Sequence, residues 1–265
     1  MRIIDAYTHA GLNWLEPIEL LLHQMVANDV ERAVLVQHRG SYDNEYLFEC
    51  ARLNVGKFAV VVRVDTDKHD AEEKLNDCAK KGAVGISLGP ETRSAGTDSL
   101  KIWRVAAKMG LVAICQGSLE EFATSKFEKL VAELHDLNIV VEHLGSPGVS
   151  HKSIPVEYKS LLTLAKYSNV YLEVGGLGEM ASRPGVLDSG FNMGTVLPYL
   201  EMALDAFGAN RIMWGSDYPP VSVREGYANA LNGILNHSAL SIPDIRDHVM
   251  HKTAESLFKF DAIAS

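Results

Sequence analysis

Cysteine is scarce in this chain. Its 265 residues hold three, Cys50, Cys78 and Cys115, widely spaced and without a CxxC pair. An odd, scattered set fits neither a disulfide framework nor a zinc finger. Cys50 and Cys78 sit in helical patterns as small core residues, and Cys115 lies in a strand, read as packing rather than as a nucleophile. No apolar run reaches the length of a membrane span, and the opening Met1-Arg2-Ile3-Ile4-Asp5 lacks the apolar core of a signal peptide. A cytoplasmic protein is the expectation. Positive charge is also short, at 25 Lys and Arg against 34 Asp and Glu, for a net charge of −9. That balance argues against a nucleic-acid partner, and it bears on solubility rather than on substrate charge. Linkers, repeats and low-complexity stretches are missing too, so one domain spanning residues 1–265 is expected.

What the chain does have is an alternation. Apolar runs of strand length read as Arg2–Ala6, Arg32–His38, Phe58–Val64, Ala83–Leu88, Val112–Cys115, Ile139–His143, Val170–Val174 and Arg211–Trp214. Most are continuous rather than alternating, as expected for strands buried on both faces. Between them lie helix-period stripes. One is Ile18, Leu21, Leu22, Met25 and Val26, a second is Ala71, Leu75, Cys78 and Ala79, and the longest runs from Leu119 to Leu134. Eight strands alternating with helices predict a (β/α)8 TIM barrel, a size that suits the chain length. Helices near Arg224–Leu235 and Ile242–Phe258 follow the last strand, so an extra C-terminal helix is expected. The segment Gly175–Asn192, with Arg183, is the longest irregular stretch and reads as a lid or substrate loop over the barrel mouth.

Barrels of this type carry their chemistry at the strand C-termini. Those ends deliver Tyr7 and His9, His38 and Arg39, Arg63 and Asp65, Ser87 (with Arg93 in the loop beyond), Gln116, Glu142 and His143, Glu173, and Asp217 and Tyr218. Ionisable groups crowd this end while the strand interiors are almost free of them, which marks it as the site. Glu142 is expected to point away from the lumen, because strand side chains alternate and His143 is its neighbour.

Several of these segments resemble a known family. Ile4-Asp5-Ala6-Tyr7-Thr8-His9 resembles the D-x-H-x-H opening of the amidohydrolase superfamily, Glu142-His143-Leu144-Gly145 its sixth-strand histidine motif, and Trp214-Gly215-Ser216-Asp217-Tyr218-Pro219 its eighth-strand aspartate motif. Lys252-Thr253-Ala254-Glu255-Ser256-Leu257-Phe258 resembles the N-A-x-x-L-F segment that closes many members. Within that superfamily the likeness is to the branch of small metal-dependent decarboxylases and largely metal-free lactonases, such as those acting on pyrone-dicarboxylates or sugar lactones. The resemblance implies a metal held by two opening histidines, a fifth-strand ligand and the eighth-strand aspartate. Here Tyr7 stands in place of the first histidine and Gln116 in place of the fifth-strand ligand, and no fourth-strand lysine is evident to bridge two metals. A neutral carboxamide is a weak ligand for zinc. No cofactor is therefore expected. The alternative is a single zinc or other divalent cation on His9, His143 and Asp217.

Without a metal, Asp217 is the expected general base toward water, and His9 and His143 the donors that polarise a carbonyl. Tyr7, His38, Arg63, Ser87, Gln116, Tyr218 and Arg183 are the expected substrate-binding residues. This set suits a lactone better than an amide, whose poor leaving group needs more acid assistance. The arginines point to a carboxylate on the substrate, from a sugar acid or an aromatic ring-cleavage product. A small-molecule substrate, no membrane partner and room for a homo-oligomer complete the expectation. The alternatives are a metal-dependent decarboxylase of the same branch, a lactone isomerase, and a barrel that binds without catalysis.

Overall fold

The structure is a computed structural model, and it describes residues 1–149, 153–181 and 198–261. Eight parallel strands follow one another in sequence order around a single sheet: β1 (Ile4–Thr8), β2 (Arg32–Val36), β3 (Phe58–Val62), β4 (Ala83–Leu88), β5 (Val112–Cys115), β6 (Ile139–Val141), β7 (Val170–Val174) and β8 (Ile212–Trp214). Helices fill the crossovers, and the fold is a (β/α)8 barrel. Among the described residues, no helix is long and apolar enough to cross a membrane.

The strands are apolar on both faces because each face has its own core. Val34 and Val36 of β2, Ala59 and Val61 of β3, and Val112 and Ile114 of β5 fill the lumen. Their neighbours Ala33, Leu35, Phe58, Val60, Val62, Ala113 and Cys115 pack outward against the helices. Burial pushes the Cys115 thiol far up, which leaves it a core residue. The expected C-terminal helix is present, running from Pro243–Asp247 through His248–Lys252 to Thr253–Leu257. Its Ala254, with Phe258 just beyond, joins the lumen cluster, and Glu255 pairs with Arg2 and Arg32 at the strand starts, so this helix closes the bottom of the barrel.

The stripe from Leu119 to Leu134 forms two helices rather than one. Ser118 caps Leu119–Phe122 with a reciprocal Glu121 bond, and Thr124 accepts from the Phe127 amide to start Ser125–Glu133. A second cap in mid-stripe restarts the helix without disturbing its apolar period.

The seam between β8 and β1 is the least regular part of the ring. With three residues, β8 is too short to pair with β1 along its own length. Closure falls to the chain just past it: Asp217 N donates to Tyr7 O (3.0 Å) and His9 N to Tyr218 O (2.8 Å). The Asp5 carboxylate supplies a further acceptor. Its Oδ1 takes Ser216 N (2.7 Å) and its Oδ2 takes the Tyr227 hydroxyl (2.7 Å). Burial pushes this carboxyl up to about 7 despite those donors. Gly215 lets the strands approach, since a Cβ there would lie 2.5 Å from Tyr7 Cβ and 2.7 Å from Glu173 Oε1. Removing the clasp leaves two buried donors unpaired. Asp5→Ala should therefore destabilise the fold by about 2–4 kcal/mol in urea unfolding, and Asp5→Asn, which keeps one acceptor, by about 1 kcal/mol. An Asp5→Ala midpoint equal to wild type would refute the clasp.

Candidate active site

The register of β1 against β2 slips between Asp5 and Thr8. Past that slip Tyr7 joins the lumen cluster, where its ring lies edge-on to His9 (5.1 Å between centroids) and to His143 (5.0 Å). The Tyr7 hydroxyl donates to Glu142 Oε2 (2.6 Å) and accepts from Gln116 Nε2 (2.5 Å). Burial, reinforced by the Glu142 carboxylate, pushes the phenol well up and keeps it neutral. Gln116 Oε1 in turn accepts from Arg63 Nη2, which also reaches Ser87 Oγ (2.8 Å). One line of hydrogen bonds thus crosses the floor from Arg63 through Gln116 and Tyr7 to Glu142.

Glu142 corrects the sequence reading. The strand ends at Val141, and His143 and Leu144 then take left-handed backbone angles (φ 51° and 52°). That turn breaks the alternation on which the outward placement rested, and both Glu142 and His143 face the site. Burial raises the Glu142 carboxyl above the usual range.

His143 is held from behind by carboxylates. Glu173 Oε2 accepts from its backbone N (2.7 Å) and lies 2.9 Å from Nδ1, while Glu179 Oε2 lies 3.4 Å from Nδ1. Burial opposes charge on the ring, but the carboxylates of Glu179, Glu173 and Glu142 outweigh it and hold His143 well above the ordinary histidine range. That surround favours the protonated ring, with Nε2 at the end away from Glu173 and Glu179.

His9 is placed differently. Its Nδ1 lies 2.7 Å from the Val36 carbonyl, which fixes the proton on that atom, and its Nε2 lies 3.6 Å from Asp217 Oδ1. Asp217 itself adopts a left-handed backbone (φ 56°). Burial would raise its carboxyl, but the hydrogen bond from His9 and the charges of His143, His9 and Arg224 bring it below the ordinary aspartate value.

Two partners were not found in the sequence. Glu179, in the loop after β7, and Arg224, at the end of the helix Val221–Arg224, meet at 2.9 Å, and Arg224 Nη1 also lies 3.3 Å from Asp217 Oδ2. Neither stands at a strand end, so the strand-end survey passes over both. Among the described residues, His143, Glu179 and Asp217 form a group whose metal-ligating atoms lie within 4.8 Å of one another. His9, an expected ligand, is outside that trio.

Some expected residues lie apart from the floor. His38 Nδ1 contacts the neighbouring Arg39 carbonyl (3.0 Å), and Arg93 caps its own loop at Pro90 O (3.0 Å) and Thr92 O (2.7 Å). The Tyr218 side chain is buried against Tyr227 in the seam (6.0 Å between centroids). Arg63 does not pair with Asp65, whose carboxylate instead accepts from the Asp67 amide. Arg183 lies outside the described residues, as does the part of the expected lid segment beyond Ala181.

Comparison with known proteins agrees with this architecture. The family model described as "Amidohydrolase" matches residues 9–260. The L-fucono-1,5-lactonase of Burkholderia ambifaria is 32% identical over 233 residues, covering 82% of this chain and 73% of the lactonase. A candidate 2-pyrone-4,6-dicarboxylic acid hydrolase from Pseudomonas putida superposes with a TM-score of 0.79 at 22% identity, covering 97% of each chain. A zinc-bound amidohydrolase from Burkholderia multivorans superposes with a TM-score of 0.76 at 19% identity, over 97% of this chain and 99% of the other. Motifs, barrel and matched length agree, and this chain belongs to the amidohydrolase family.

Proposed function

We propose that this enzyme opens a carboxylate-bearing lactone with water activated by Asp217 and without a metal. The observation that carries the reading is the pairing of Asp217 and His143, which bring a carboxylate oxygen and a ring nitrogen within 4.8 Å, with the carboxyl held below its ordinary value and the imidazole above its own. A base for water and a donor for the developing oxyanion are what ester hydrolysis requires. The lactonase relative supports a lactone as the substrate class.

The two histidines divide the work that the sequence reading gave to both. His143 offers Nε2–H to the lactone carbonyl oxygen. His9, its Nδ1 held by the Val36 carbonyl, sets Nε2 3.6 Å from Asp217 Oδ1 and so orients the base. A water here meets Asp217, which takes its proton as the oxygen attacks the carbonyl carbon. The tetrahedral oxyanion then collapses, the ring C–O bond breaks, and Asp217 returns the proton to the departing oxygen. Tyr7 frames this floor rather than donating to substrate, because its proton is committed to Glu142.

The cluster suits a divalent cation poorly. Arg224 already contacts both of its carboxylates, and a metal would have to displace the proton that the carboxylates favour on His143. A metal-dependent decarboxylase remains the competing reading because the His143, Glu179 and Asp217 trio exists. Elemental analysis, beside lactone assays with and without chelator, separates the two.

Substrate charge is read at Arg63. Its guanidinium is largely buried, forms no carboxylate pair among the described residues, and leaves Nε buried without an acceptor. A substrate carboxylate would answer that charge. Arg63→Ala should raise KM for an anionic lactone about 10- to 100-fold and leave that of its methyl ester nearly unchanged; equal effects on both would refute the anchor.

Asp217→Asn should lower kcat by about 10²- to 10⁴-fold, with little change in KM. Because its carboxyl titrates below the ordinary value, the base stays ionised to lower pH, and the acid limb of wild-type kcat/KM should fall below about pH 4. An acid limb near neutrality would assign the base to another group.

A further inference from the structure

Among the described residues, Arg224 is the one side chain that forms ion pairs with both carboxylates of the candidate metal cluster. Nη2 lies 2.9 Å from Glu179 Oε1 and Nη1 lies 3.3 Å from Asp217 Oδ2. The Glu179 contact is a charge pair rather than an aligned hydrogen bond, since neither Arg224 Nη2 nor Glu179 Oε1 finds a hydrogen-bond partner among the described residues. The guanidinium is also tethered. Its Nε donates to Glu225 Oε2 (2.6 Å), and Glu225 Oε1 accepts from Gly178 N in the β7 loop (3.2 Å). The fit there is tight enough that a Cβ on Gly178 would lie 2.2 Å from Glu225 Oε2. Glu225 is itself buried, so Arg224 is pinned on its Nε side and presents both Nη atoms to the cluster.

We propose that Arg224 is a built-in cation that occupies the electrostatic place of a divalent metal and keeps the His143, Glu179 and Asp217 cluster from taking one. The physical case is steric and Coulombic together. A zinc-like ion needs carboxylate oxygens at about 2.0–2.2 Å. Each of these two carboxylates already gives one oxygen to a fixed guanidinium, at 2.9 and 3.3 Å, so a metal on the same carboxylates would sit close to the arginine with like charge. Guanidinium cannot relieve that repulsion by deprotonating. It can neutralise the carboxylates yet cannot act as a Lewis acid, so the site keeps charge balance and loses metal chemistry. The inference deepens the metal-free reading above, but its test measures binding and needs no turnover.

The test is a Co²⁺ titration of chelator-treated, desalted protein, followed by calorimetry and by visible absorption of the bound ion. Wild type should show no Co²⁺ site tighter than about 1 mM. Arg224→Gln should bind one equivalent at least about 100-fold more tightly, the scale that close charge pairs set. Arg224→Lys keeps a cation and should remain without a site. Asp217→Asn or Glu179→Gln added to Arg224→Gln should abolish the new site, which separates it from adventitious surface binding. Arg224→Met serves as the second neutral variant should Arg224→Gln fail to give a native circular dichroism spectrum. Tight Co²⁺ binding by wild type overturns the proposal, as does a folded neutral variant that binds no better than wild type. The titration decides the matter whatever the lactone assays show, while a wild type that opens no lactone counts against the hydrolytic reading alone.

Discussion

Closing the ring between β8 and β1 is the constraint on which the rest of this molecule depends. Because β8 stops at Trp214, the bonds that close the barrel are made by Asp217 and Tyr218, with Tyr7 and His9 as their partners across the seam. The backbone of the expected base and of the first-strand histidine is thus part of the closure itself. Asp217 pays for this with a left-handed backbone, a conformation that costs an ordinary residue roughly 1–2 kcal/mol. Such strain persists only where the surroundings over-determine it. Here they do, through the Tyr7 carbonyl on one side and the Asp5 clasp on Ser216 one residue earlier. Fold closure and the 3.6 Å spacing of His9 and Asp217 are consequences of one register.

The second organising feature is charge. Four carboxylates, Glu142, Glu173, Glu179 and Asp217, face the same small floor, and two cations, His143 and Arg224, stand among them. Acid groups packed this closely cannot all be alike. Burial raises Glu142 and Glu179, while Asp217, which burial would also raise, is held low by His9, His143 and Arg224. Environments that push paired groups apart assign acid and base roles on one floor. The fixed charges are in place before substrate arrives, which is how electrostatic preorganisation lowers a barrier in a water-poor site.

Much of this was legible in the sequence, and what was not has identifiable causes. The eight strands were readable because burial on both faces makes them continuous apolar runs, and His9, His143 and Asp217 because each stands at a strand end in a recognisable motif. Glu142 was misplaced because the alternation rule holds only inside a strand, and β6 ends one residue before it. Glu179 and Arg224 were hidden because a loop glutamate and an arginine seven residues past Asp217 carry no periodic signal; only closure of the barrel brings them together. His38 and Arg93, expected near the mouth, contact carbonyls of their own loops. A polar side chain near a strand end that finds a carbonyl in its own loop looks, in sequence, the same as one that faces a ligand.

Tyr7 shows how a departure from a family pattern can be absorbed. A phenol in place of an imidazole removes a ligand, but it also places a hydroxyl where it can accept from Gln116 and donate to Glu142. Those two bonds take up its proton and one of its lone pairs. Gln116 is in turn fixed by Arg63, and Arg63 by Ser87. A chain of hydrogen bonds in low dielectric polarises and rigidifies its members. The two positions least suited to a metal thereby become one polar floor, with the partner-poor guanidinium of Arg63 at one end and the Glu142 carboxyl at the other. On this argument Tyr7 and Gln116 are not relics of a decayed metal site. They form the structural link between Arg63 and the His9 and His143 rings that flank Tyr7.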